Sequence, residues 1–358
     1  MARAIALGAV GSLTLAGCGA AASGASSAKS STAPASGTTT AAVSASAGSP
    51  AAVLQQNYVN VIHRVLPSVV EITTGRDLGS GIVFDSRGDI VTNDHVVGAA
   101  THFQVRLSTG GPALAATLVG TYPPDDLAVI HVTNAKGLHP ATFADSTKTA
   151  VGDIVLAMGN PLGLASSVTN GIISATGRTV SEPRGAGSPG ATIAGAVQTS
   201  ASINPGNSGG ALVGLDGKVV GIPTLAAVDP QLGGTAAGIG FAIPSNTVTD
   251  IAGQIVKNGH VINSHRAALG VRVGDVTDPN GTPIGAGIAQ LTAGGPAAKA
   301  GLKPGDVIVA VNNTSVTGSA ELAKVLAQFQ PGDKVTIKVV DGTGASRLVT
   351  ATLGQLPG

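Results

Sequence analysis

Short apolar runs alternate with turn signals from residue 53 to about residue 260, and this alternation constrains the fold more than any other feature. The spacing is typical of an all-β chain. Glycine supplies 52 of the 358 residues, and short strands joined by tight turns use it because glycine takes positive φ without steric cost. We therefore expect two small antiparallel barrels rather than a βαβ fold, built from runs at 68–73, 81–84, 90–92, 103–107, 127–132, 154–158, 195–199, 211–214, 218–222 and 238–243.

Helical periodicity flanks this region at residues 57–66 and 247–258. A second unit begins near residue 267, with further strands and one helix at 319–328, for which Ser319 is the predicted N-cap. Hydrophobic residues make up 43% of the chain but aromatic residues only 2%, so both cores must be built from Val, Ile, Leu and Ala. A chain of 358 residues has room for two such domains and an unstructured segment.

The charge balance and the cysteine count exclude several classes of partner. The formal net charge is +1 and only 11% of residues are charged, so the chain has no broad field to attract a phosphate backbone, and we expect no nucleic-acid partner. Cys18 is the single cysteine, so the chain forms no internal disulfide and has no pattern typical of a structural zinc site. No metal or organic cofactor is predicted.

The N-terminal segment has the pattern of an export signal. Residues 1–17 carry Arg3, then an apolar run and small residues, as a signal peptide does. The sequence Leu-Ala-Gly before Cys18 resembles a bacterial lipobox, which implies cleavage before Cys18 and attachment of diacylglycerol to its thiol. The alternative is an ordinary secretory signal with an incidental cysteine. Residues 18–53, nearly all Ala, Ser, Thr and Gly, predict a flexible tether with a reach of about 30 Å.

The segment 204–210, Asn-Pro-Gly-Asn-Ser-Gly-Gly, places Ser208 among three glycines. Such a backbone can turn sharply, so that the serine Oγ projects and neighbouring N–H groups converge where an oxyanion could develop. The alternative is a plain Gly-Ser-Asn turn. Because a serine hydroxyl is a poor nucleophile without a base, a histidine and a carboxylate are expected elsewhere in the chain.

Of the seven histidines, His95 has the best setting, directly after the strand-like run 88–91, and we interpret the other six as surface or packing residues. A carboxylate at the start of an apolar strand can accept the imidazole Nδ1 proton and hold the needed tautomer. Both Asp125 and Asp126 precede such a strand, and its alternation does not choose between them. The order His, Asp, Ser differs from the order in α/β-hydrolases.

Residues 79–97, Gly-Ser-Gly-Ile-Val-Phe-Asp-Ser-Arg-Gly-Asp-Ile-Val-Thr-Asn-Asp-His-Val-Val, closely resemble the HtrA (Deg) serine proteases around their catalytic histidine. The resemblance extends from about residue 53 to the C-terminus and implies a mainly β fold, with a trypsin-like domain of two six-stranded antiparallel barrels at 54–260 and one PDZ domain at 265–354. The family's remaining signatures are matched in order at 126–130, 159–163, 171–175, 203–210 and 238–244.

The resemblance also implies roles for single residues. It selects Asp126 over Asp125, because the family's catalytic Asp immediately precedes Leu-Ala. Peptide bonds would then be hydrolysed through an acyl-enzyme, with Ser208 as nucleophile, His95 as general base and Asp126 as its orienting partner. The oxyanion hole would be formed by the backbone N–H groups of Gly206 and Ser208, with Asn207 between them.

Three positions depart from the family pattern. Ser200 stands where the family usually has Asp, and Ala211 where it usually has Pro, although neither change removes a reacting group. Residues 200–204, which line the primary pocket of a trypsin-like fold, contain no carboxylate, so cleavage after basic residues is disfavoured and small aliphatic residues are preferred. Ala268 stands where the family commonly has an aromatic residue at the peptide site.

The C-terminal segments 268–271 and 295–308 resemble a PDZ domain of the circularly permuted bacterial type. Such a domain binds a peptide C-terminus by strand addition, and the resemblance implies that the N–H groups of Leu269, Gly270 and Val271 hold its carboxylate. The alternative is a structural appendage that binds nothing tightly.

Taken together, the N-terminal pattern and the resemblance imply an exported, lipid-anchored serine endopeptidase that degrades unfolded or damaged proteins for quality control in the cell envelope. A homotrimer is a further expectation from the resemblance, although residues 55–64, which would support it, show no unambiguous pattern. The rival hypothesis is a chaperone or adaptor with a mostly dormant protease site. A passive surface lipoprotein would leave Ser208, His95 and Asp126 unexplained.

Overall fold

The computed structural model describes residues 48–75, 78–160, 167–182, 190–204, 206–229 and 234–358. The predicted signal peptide, Cys18 and the predicted tether up to residue 47 lie outside the described residues. The first helix, α1 (Pro50–Val65), begins earlier than predicted, inside the segment expected to be a tether. Its N-terminus is specified locally, because the Ser49 side chain accepts the N–H of Ala52 and Pro50 occupies the first turn.

Six antiparallel strands close the first barrel, in the order β1-β2-β3-β6-β5-β4. Its interior is filled by fully buried aliphatic side chains such as Ile72, Ile90 and Ile130. A one-turn helix, α2 (Asp94–Val97), follows the third strand. The strands are β1 (Val69–Thr73), β2 (Leu78–Val83), β3 (Asp89–Thr92), β4 (His102–Leu107), β5 (Leu114–Tyr122) and β6 (Leu127–Val132).

The second barrel is also closed by six antiparallel strands, in the order β10-β11-β12-β9-β8-β7. Helix α3 (Ser245–Asn258) follows it and buries Val248, Ile251 and Ile255 in the core that the two barrels share. The pair of six-stranded barrels confirms the predicted fold class. The strands are β7 (Ile154–Gly159), β8 (Ser167–Glu182), β9 (Ala191–Thr199), β10 (Ala211–Gly214), β11 (Val219–Asp229) and β12 (Gly234–Pro244).

Two barrel strands, β5 and β8, escaped the sequence prediction. The register of β5 against β6 shifts between Leu118 and Gly120, which interrupts the two-residue alternation. Strand β8 pairs with β9 through three such shifts and consists largely of Thr, Ser, Asn, Gly and Arg. Bulged and polar strands have no continuous apolar face, so the alternation used for prediction misses them.

The C-terminal unit is a mainly antiparallel sheet in the order β14-β15-β16-β18-β19, with β17 beside β16 and a separate β13-β20 pair. Ile288, Ile308 and Ile337 lie in its core. Its elements are β13 (Ala267–Ala268), β14 (Val271–Thr277), β15 (Pro283–Leu291), α4 (Pro296–Lys299), β16 (Val307–Val311), β17 (Thr314–Ser315), α5 (Ser319–Leu326), β18 (Lys334–Val340), β19 (Ser346–Thr352) and β20 (Gly354–Gln355).

Helix α5 begins at Ser319, as the predicted range does, but its cap and its end differ from the prediction. Gly318 is the N-cap, and Ser319 is the first helical residue rather than the cap. The acceptor at the start of the helix comes from β14 rather than from the residue before the helix. Asp275 Oδ1 accepts both the N–H and the hydroxyl of Ser319 at 2.7 Å. The helix ends at Leu326, before the predicted position 328. Within the described residues no helix is long and apolar enough to cross a membrane.

Candidate active site

His95 and Asp126 lie together at one end of the first barrel. Helix α2 carries His95 just after β3 ends, and Asp126 immediately precedes β6. The His95 Nδ1 atom is 2.8 Å from Asp126 Oδ2, and the His95 backbone N–H donates to Asp126 Oδ1 at 3.0 Å. The side chain of Asp126 is only 1% exposed, whereas that of His95 is 25% exposed. This geometry holds the imidazole with Nδ1 toward a buried carboxylate and leaves part of the ring accessible.

The backbone at Asp126 explains how the carboxylate reaches His95. Asp126 has a φ of 53°, in the left-handed region that Asp tolerates better than most residues. Its carbonyl oxygen accepts a hydrogen bond from Asn93 Nδ2 at 2.9 Å, so the residue is fixed at both its main chain and its side chain. Asn93 also precedes α2 directly, which links the start of that helix to Asp126.

Asp125, the other candidate carboxylate, has a different partner. Its Oδ1 atom accepts from Arg266 Nη1 at 2.8 Å, and the same Nη1 donates to the carbonyl of Pro124. Burial raises the pKa of Asp125 to about 6, although Arg266 acts in the opposite direction. Asp125 therefore joins the first barrel to the segment that leads into the C-terminal unit, and only Asp126 faces His95.

Thr224, on β11 of the second barrel, is a site residue that the sequence analysis missed. Its hydroxyl donates to Asp126 Oδ2, the oxygen that also faces His95 Nδ1. A hydroxyl donor at this position restricts the rotation of the Asp126 carboxylate. No sequence motif marks Thr224, because its contact with Asp126 joins residues 98 apart in the chain.

A second carboxylate, Asp94, lies next to His95 and is 6% exposed. Burial raises the pKa of Asp94 to about 6, and the charge of Asp126 acts in the same direction. His95 and a hydrogen bond with Thr121 oppose this shift. The imidazole of His95 is thus close to two acidic groups, and the sequence analysis assigned a role to only one of them.

Ser208 lies in a loop tied to both barrels by backbone hydrogen bonds. The N–H of Ser80 on β2 donates to the Ser208 carbonyl at 3.0 Å, and the N–H of Gly209 donates to the Pro223 carbonyl at 3.1 Å. Pro223 is next to Thr224, so the serine loop and the donor to Asp126 are fixed to the same strand. Among the described residues, none makes a hydrogen bond to the Ser208 hydroxyl.

The proposed oxyanion loop has a defined turn on either side of Asn207, although Pro205 lies outside the described residues. The N–H of Asn207 donates to the Asn204 carbonyl at 3.0 Å, and the Asn207 carbonyl accepts from Gly210 at 2.9 Å. Gly206 has a φ of 104°, which favours glycine. Among the described residues nothing accepts the N–H groups of Gly206 and Ser208.

The positions that depart from the family pattern keep ordinary structural roles. The Ser200 hydroxyl accepts the N–H of Ile172 at 3.0 Å. Ala211 is fully buried at the start of β10. Ile203 packs directly on the backbone of Gly240, because a Cβ at Gly240 would overlap the Ile203 side chain. The segment expected to line the primary pocket therefore contributes an apolar side chain.

A groove of about 320 Å³ lies between β14 and α5 in the C-terminal unit. Leu269, Gly270 and Val271, predicted to hold a peptide carboxylate, are among its lining residues, as is Ala268. Gly270 has a φ of 72°, which turns the chain between β13 and β14. The groove also contains apolar side chains of α5, including Leu322 and Leu326.

Comparison with known proteins agrees with this architecture. A family model described as trypsin-like peptidase domain matches residues 79–222, and one described as PDZ domain matches residues 267–347. Serine protease PepD of Mycobacterium tuberculosis is 38% identical over 332 residues, covering 88% of this chain and 70% of that protein. Serine endoprotease DegS of Salmonella typhimurium is 38% identical over 291 residues, covering 79% of this chain and 78% of that protein.

Other relatives are longer than this chain. A probable periplasmic serine endoprotease, DegP-like, of Pseudomonas putida is 38% identical over 288 residues, which cover 57% of that protein.

Among solved structures, the HtrA-type protease AlgW with decapeptide is 33% identical with a TM-score of 0.56, covering 84% of this chain and 99% of that chain. The serine endoprotease from Yersinia pestis is 34% identical with a TM-score of 0.55, covering 84% of this chain and 98% of that chain.

Because PepD and DegS are each 38% identical to this chain over most of its length, the chain belongs to the HtrA family of serine proteases. It is a serine endopeptidase with a trypsin-like domain and a PDZ domain.

Proposed function

We propose that the endopeptidase hydrolyses peptide bonds of unfolded or damaged exported proteins through a Ser208–His95–Asp126 triad and an acyl-enzyme. The observation that carries this proposal is the 2.8 Å contact between His95 Nδ1 and the buried Asp126 carboxylate. A carboxylate at Nδ1 leaves Nε2 unprotonated in the neutral ring, which is the form that can act as a base toward serine.

In acylation, Ser208 Oγ attacks the substrate carbonyl carbon while His95 Nε2 takes the hydroxyl proton. The imidazolium that forms is stabilised by the Asp126 carboxylate. His95 then returns the proton to the leaving amine, and the C–N bond breaks. In deacylation a water molecule replaces serine as the nucleophile, and the same proton transfers regenerate Ser208.

The tetrahedral oxyanion would be bound by the N–H groups of Gly206 and Ser208. Two features support this assignment: neither N–H has an acceptor among the described residues, and the Asn207 carbonyl bonds to Gly210 rather than entering the hole. Loss of one such donor typically lowers the rate by about 10² to 10³.

The apolar packing around Ile203 and Gly240 supports a preference for small aliphatic residues before the scissile bond. Ile203 belongs to an apolar cluster with Val197, Leu212 and Ala242. A basic side chain entering such a pocket would lose its hydration without gaining a counter-charge.

The PDZ domain would bind peptide C-termini in the groove between β14 and α5. In the described residues β14 is an edge strand, paired only with β15, so its second edge can accept an added strand. AlgW, one of the structural neighbours, is described with a bound decapeptide. The loop 269–271 would then hold the peptide carboxylate.

An envelope location and membrane attachment form the remaining part of the proposal. The sequence pattern before Cys18 supports export and lipid attachment, and the tether would hold the enzyme away from the bilayer. Relatives are named periplasmic endoproteases. Loss of membrane association in a Cys18→Ala variant, with the activity retained in the soluble fraction, would test the anchor.

Assembly as a homotrimer is also proposed. Helix α1 supports it by exposing Val53, Leu54 and Val59, an apolar surface that neighbouring copies could cover. Sedimentation of the purified protein gives the oligomeric state directly, and a monomer at all concentrations would contradict the proposal.

The function is tested by degradation of an unfolded, casein-like substrate by the full-length protein and its Ser208→Ala variant. Ser346, an exposed serine of the PDZ domain, gives the matched control Ser346→Ala. We expect cleavage by the wild type and the control, and none by Ser208→Ala. If no protein cleaves while all three suppress aggregation of the substrate, the chaperone hypothesis replaces the present one.

A further inference from the structure

Ser80, in the middle of β2, is fully buried and directs every polar group it has toward the catalytic region. Its N–H donates to the Ser208 carbonyl at 3.0 Å, and its carbonyl accepts from Thr92 Oγ1 at 2.6 Å. Its hydroxyl donates to the Gly206 carbonyl at 2.5 Å and accepts the N–H of Asn160 at 2.8 Å. The main chain and side chain of Ser80 together thus connect β2 to β3, to the end of β7 and to the serine loop.

The direction of the hydroxyl bond follows from the chemistry of its partners. The backbone N–H of Asn160 can only donate, so Ser80 Oγ must act as its acceptor. The single proton of the hydroxyl is then directed to the Gly206 carbonyl. The arrangement orients the Ser80 hydroxyl, and an alanine at this position would leave both a buried N–H and a buried carbonyl without this partner.

This bond fixes the peptide between Gly206 and Asn207 from one side. The N–H of the same peptide donates to the Asn204 carbonyl at 3.0 Å, so both of its polar groups are held. Gly206 has a φ of 104° and no side chain to restrict it, so its own conformational preference does not maintain this orientation. The loop itself restrains the N–H of this peptide, and the restraint on its carbonyl comes from outside the loop, from Ser80.

The surrounding backbone leaves little space for adjustment. A Cβ at Gly159 would lie 2.6 Å from the Gly206 carbonyl oxygen, and a Cβ at Gly209 would overlap the Ser80 carbonyl oxygen. Strand β2, the end of β7 and the serine loop are therefore in direct backbone contact. A substitution at Ser80 would therefore act on the serine loop directly, because no other side chain lies between Ser80 and the loop backbone.

We propose that Ser80 is a positioning residue for the oxyanion hole, whose hydroxyl holds the Gly206 carbonyl so that the N–H groups of Gly206 and Ser208 converge on the substrate oxyanion. The proposal rests on the proposed function, because it takes those two N–H groups as the oxyanion donors. It assigns Ser80 no contact with substrate and no part in proton transfer.

The test compares the full-length Ser80→Ala variant with the wild type on a chromogenic peptide substrate. Because displacement of a catalytic group by about 1 Å can cost on the order of 100-fold in rate, we expect kcat to fall by about 10- to 100-fold while KM changes by less than about twofold. Affinity for a peptide boronate, whose adduct puts an oxygen in the oxyanion hole, should fall in parallel with kcat. The pH at which activity falls on the acid side should not change, because His95 and Asp126 are untouched.

Ser245→Ala is the matched control. Ser245 is also fully buried, and its hydroxyl donates to a backbone carbonyl, that of Ala144, at 2.8 Å outside the catalytic region. Loss of a buried hydroxyl should lower the melting temperature of both variants. The proposal predicts that kcat falls only in Ser80→Ala. A second variant, Ser80→Cys, keeps a side chain of similar shape with a weaker donor, and its kcat should be intermediate.

Two results would overturn the proposal: a Ser80→Ala enzyme with wild-type kcat and boronate affinity, or an equal loss in Ser245→Ala. If Ser80→Ala does not fold, Ser80→Cys decides, and wild-type values for it overturn the proposal. Failure of the proposed function is a separate outcome, because then the wild type itself would cleave no faster than Ser208→Ala.

Discussion

Thr224 donates a hydrogen bond to Asp126 Oδ2, the same carboxylate oxygen that lies 2.8 Å from His95 Nδ1. The first barrel supplies His95 and Asp126, and the second barrel supplies both Thr224 and the Ser208 loop. The contact therefore crosses the interface between the barrels at the candidate active site. A change in the packing of the two barrels would therefore alter the hydrogen bond between Thr224 and the Asp126 carboxylate.

Thr224→Val tests this contact, because valine keeps the shape of threonine and removes the donor. A hydrogen bond to a charged group contributes roughly 1.5 to 3 kcal/mol, and part of this should be lost in the transition state, where the Asp126–His95 pair carries most charge. We expect kcat to fall by about tenfold with little change in KM. Thr224→Ser, which keeps the hydroxyl, should retain most of the activity, and a fully active valine variant would contradict the assignment.

Asp94→Asn should change the pH dependence of activity. The pKa of Asp94 is raised by burial to about 6, so above that pH it is ionised and places a negative charge beside His95. This charge is expected to favour the imidazolium form of His95 over the neutral ring. Removing it should make the imidazolium less favourable, so that the acid-side fall in kcat/KM moves to lower pH, by less than about one pH unit.

Asp89→Asn is the control for this shift. Asp89 is equally buried and lies beside a different histidine, because its Oδ1 atom is 2.9 Å from His131 Nδ1. It does not contact His95, so its substitution should leave the pH profile in place. An unchanged profile in Asp94→Asn would show that the charge at Asp94 does not act on His95.

Arg266→Met should destabilise the protein in a pH-dependent way. Arg266 and Asp125 form a pair with side chains only 12% and 5% exposed, and removal of one partner of a buried pair typically costs about 3 to 5 kcal/mol. The folded pKa of Asp125, about 6, lies above its usual 3.8, so its contribution to stability is present below pH 3.8 and is lost as the pH rises through about 6.

Without Arg266 the folded pKa of Asp125 should rise further, because an opposing charge is removed. The drop in melting temperature should therefore be largest near pH 8 and smaller near about pH 5, where the carboxyl takes up a proton. In the double variant Asp125→Asn/Arg266→Met this pH dependence should disappear. An equal drop at both pH values in the single variant would contradict the prediction.

The alternation of apolar residues predicted most strands of the barrels, and a resemblance to known motifs predicted the PDZ domain, because both signals lie in neighbouring residues. His95 and Ser208 lie in short segments whose glycines and flanking strands are visible in the sequence. The residues alone left Asp125 and Asp126 as equal candidates, since adjacent positions before a strand differ only in backbone conformation. The left-handed φ of Asp126 separates them in the structure.

The supporting contacts were not predictable in the same way. Thr224 meets Asp126 across 98 residues, and Ser80 meets Gly206 across 126 residues. In neither pair does the sequence around one residue indicate its partner. Only the closure of both barrels brings the two residues of each pair together. The sequence therefore identifies candidate reacting groups, while the residues that orient them depend on the tertiary structure.

Two glycine substitutions with opposite expected effects test the packing of the serine loop. Gly209 has a φ of 79°, and a Cβ there would overlap the Ser80 carbonyl oxygen and the Thr92 hydroxyl. Gly209→Ala should lower the free energy of unfolding by at least about 2 kcal/mol and abolish cleavage. Gly253 lies in α3, where a Cβ would have no neighbouring atom within 4 Å, so Gly253→Ala should raise stability by about 0.5 to 1 kcal/mol and leave activity unchanged. Melting curves measure the change in stability of each variant, and peptide cleavage measures its activity. A stable, active Gly209→Ala enzyme would mean that the loop is not held against β2 as described.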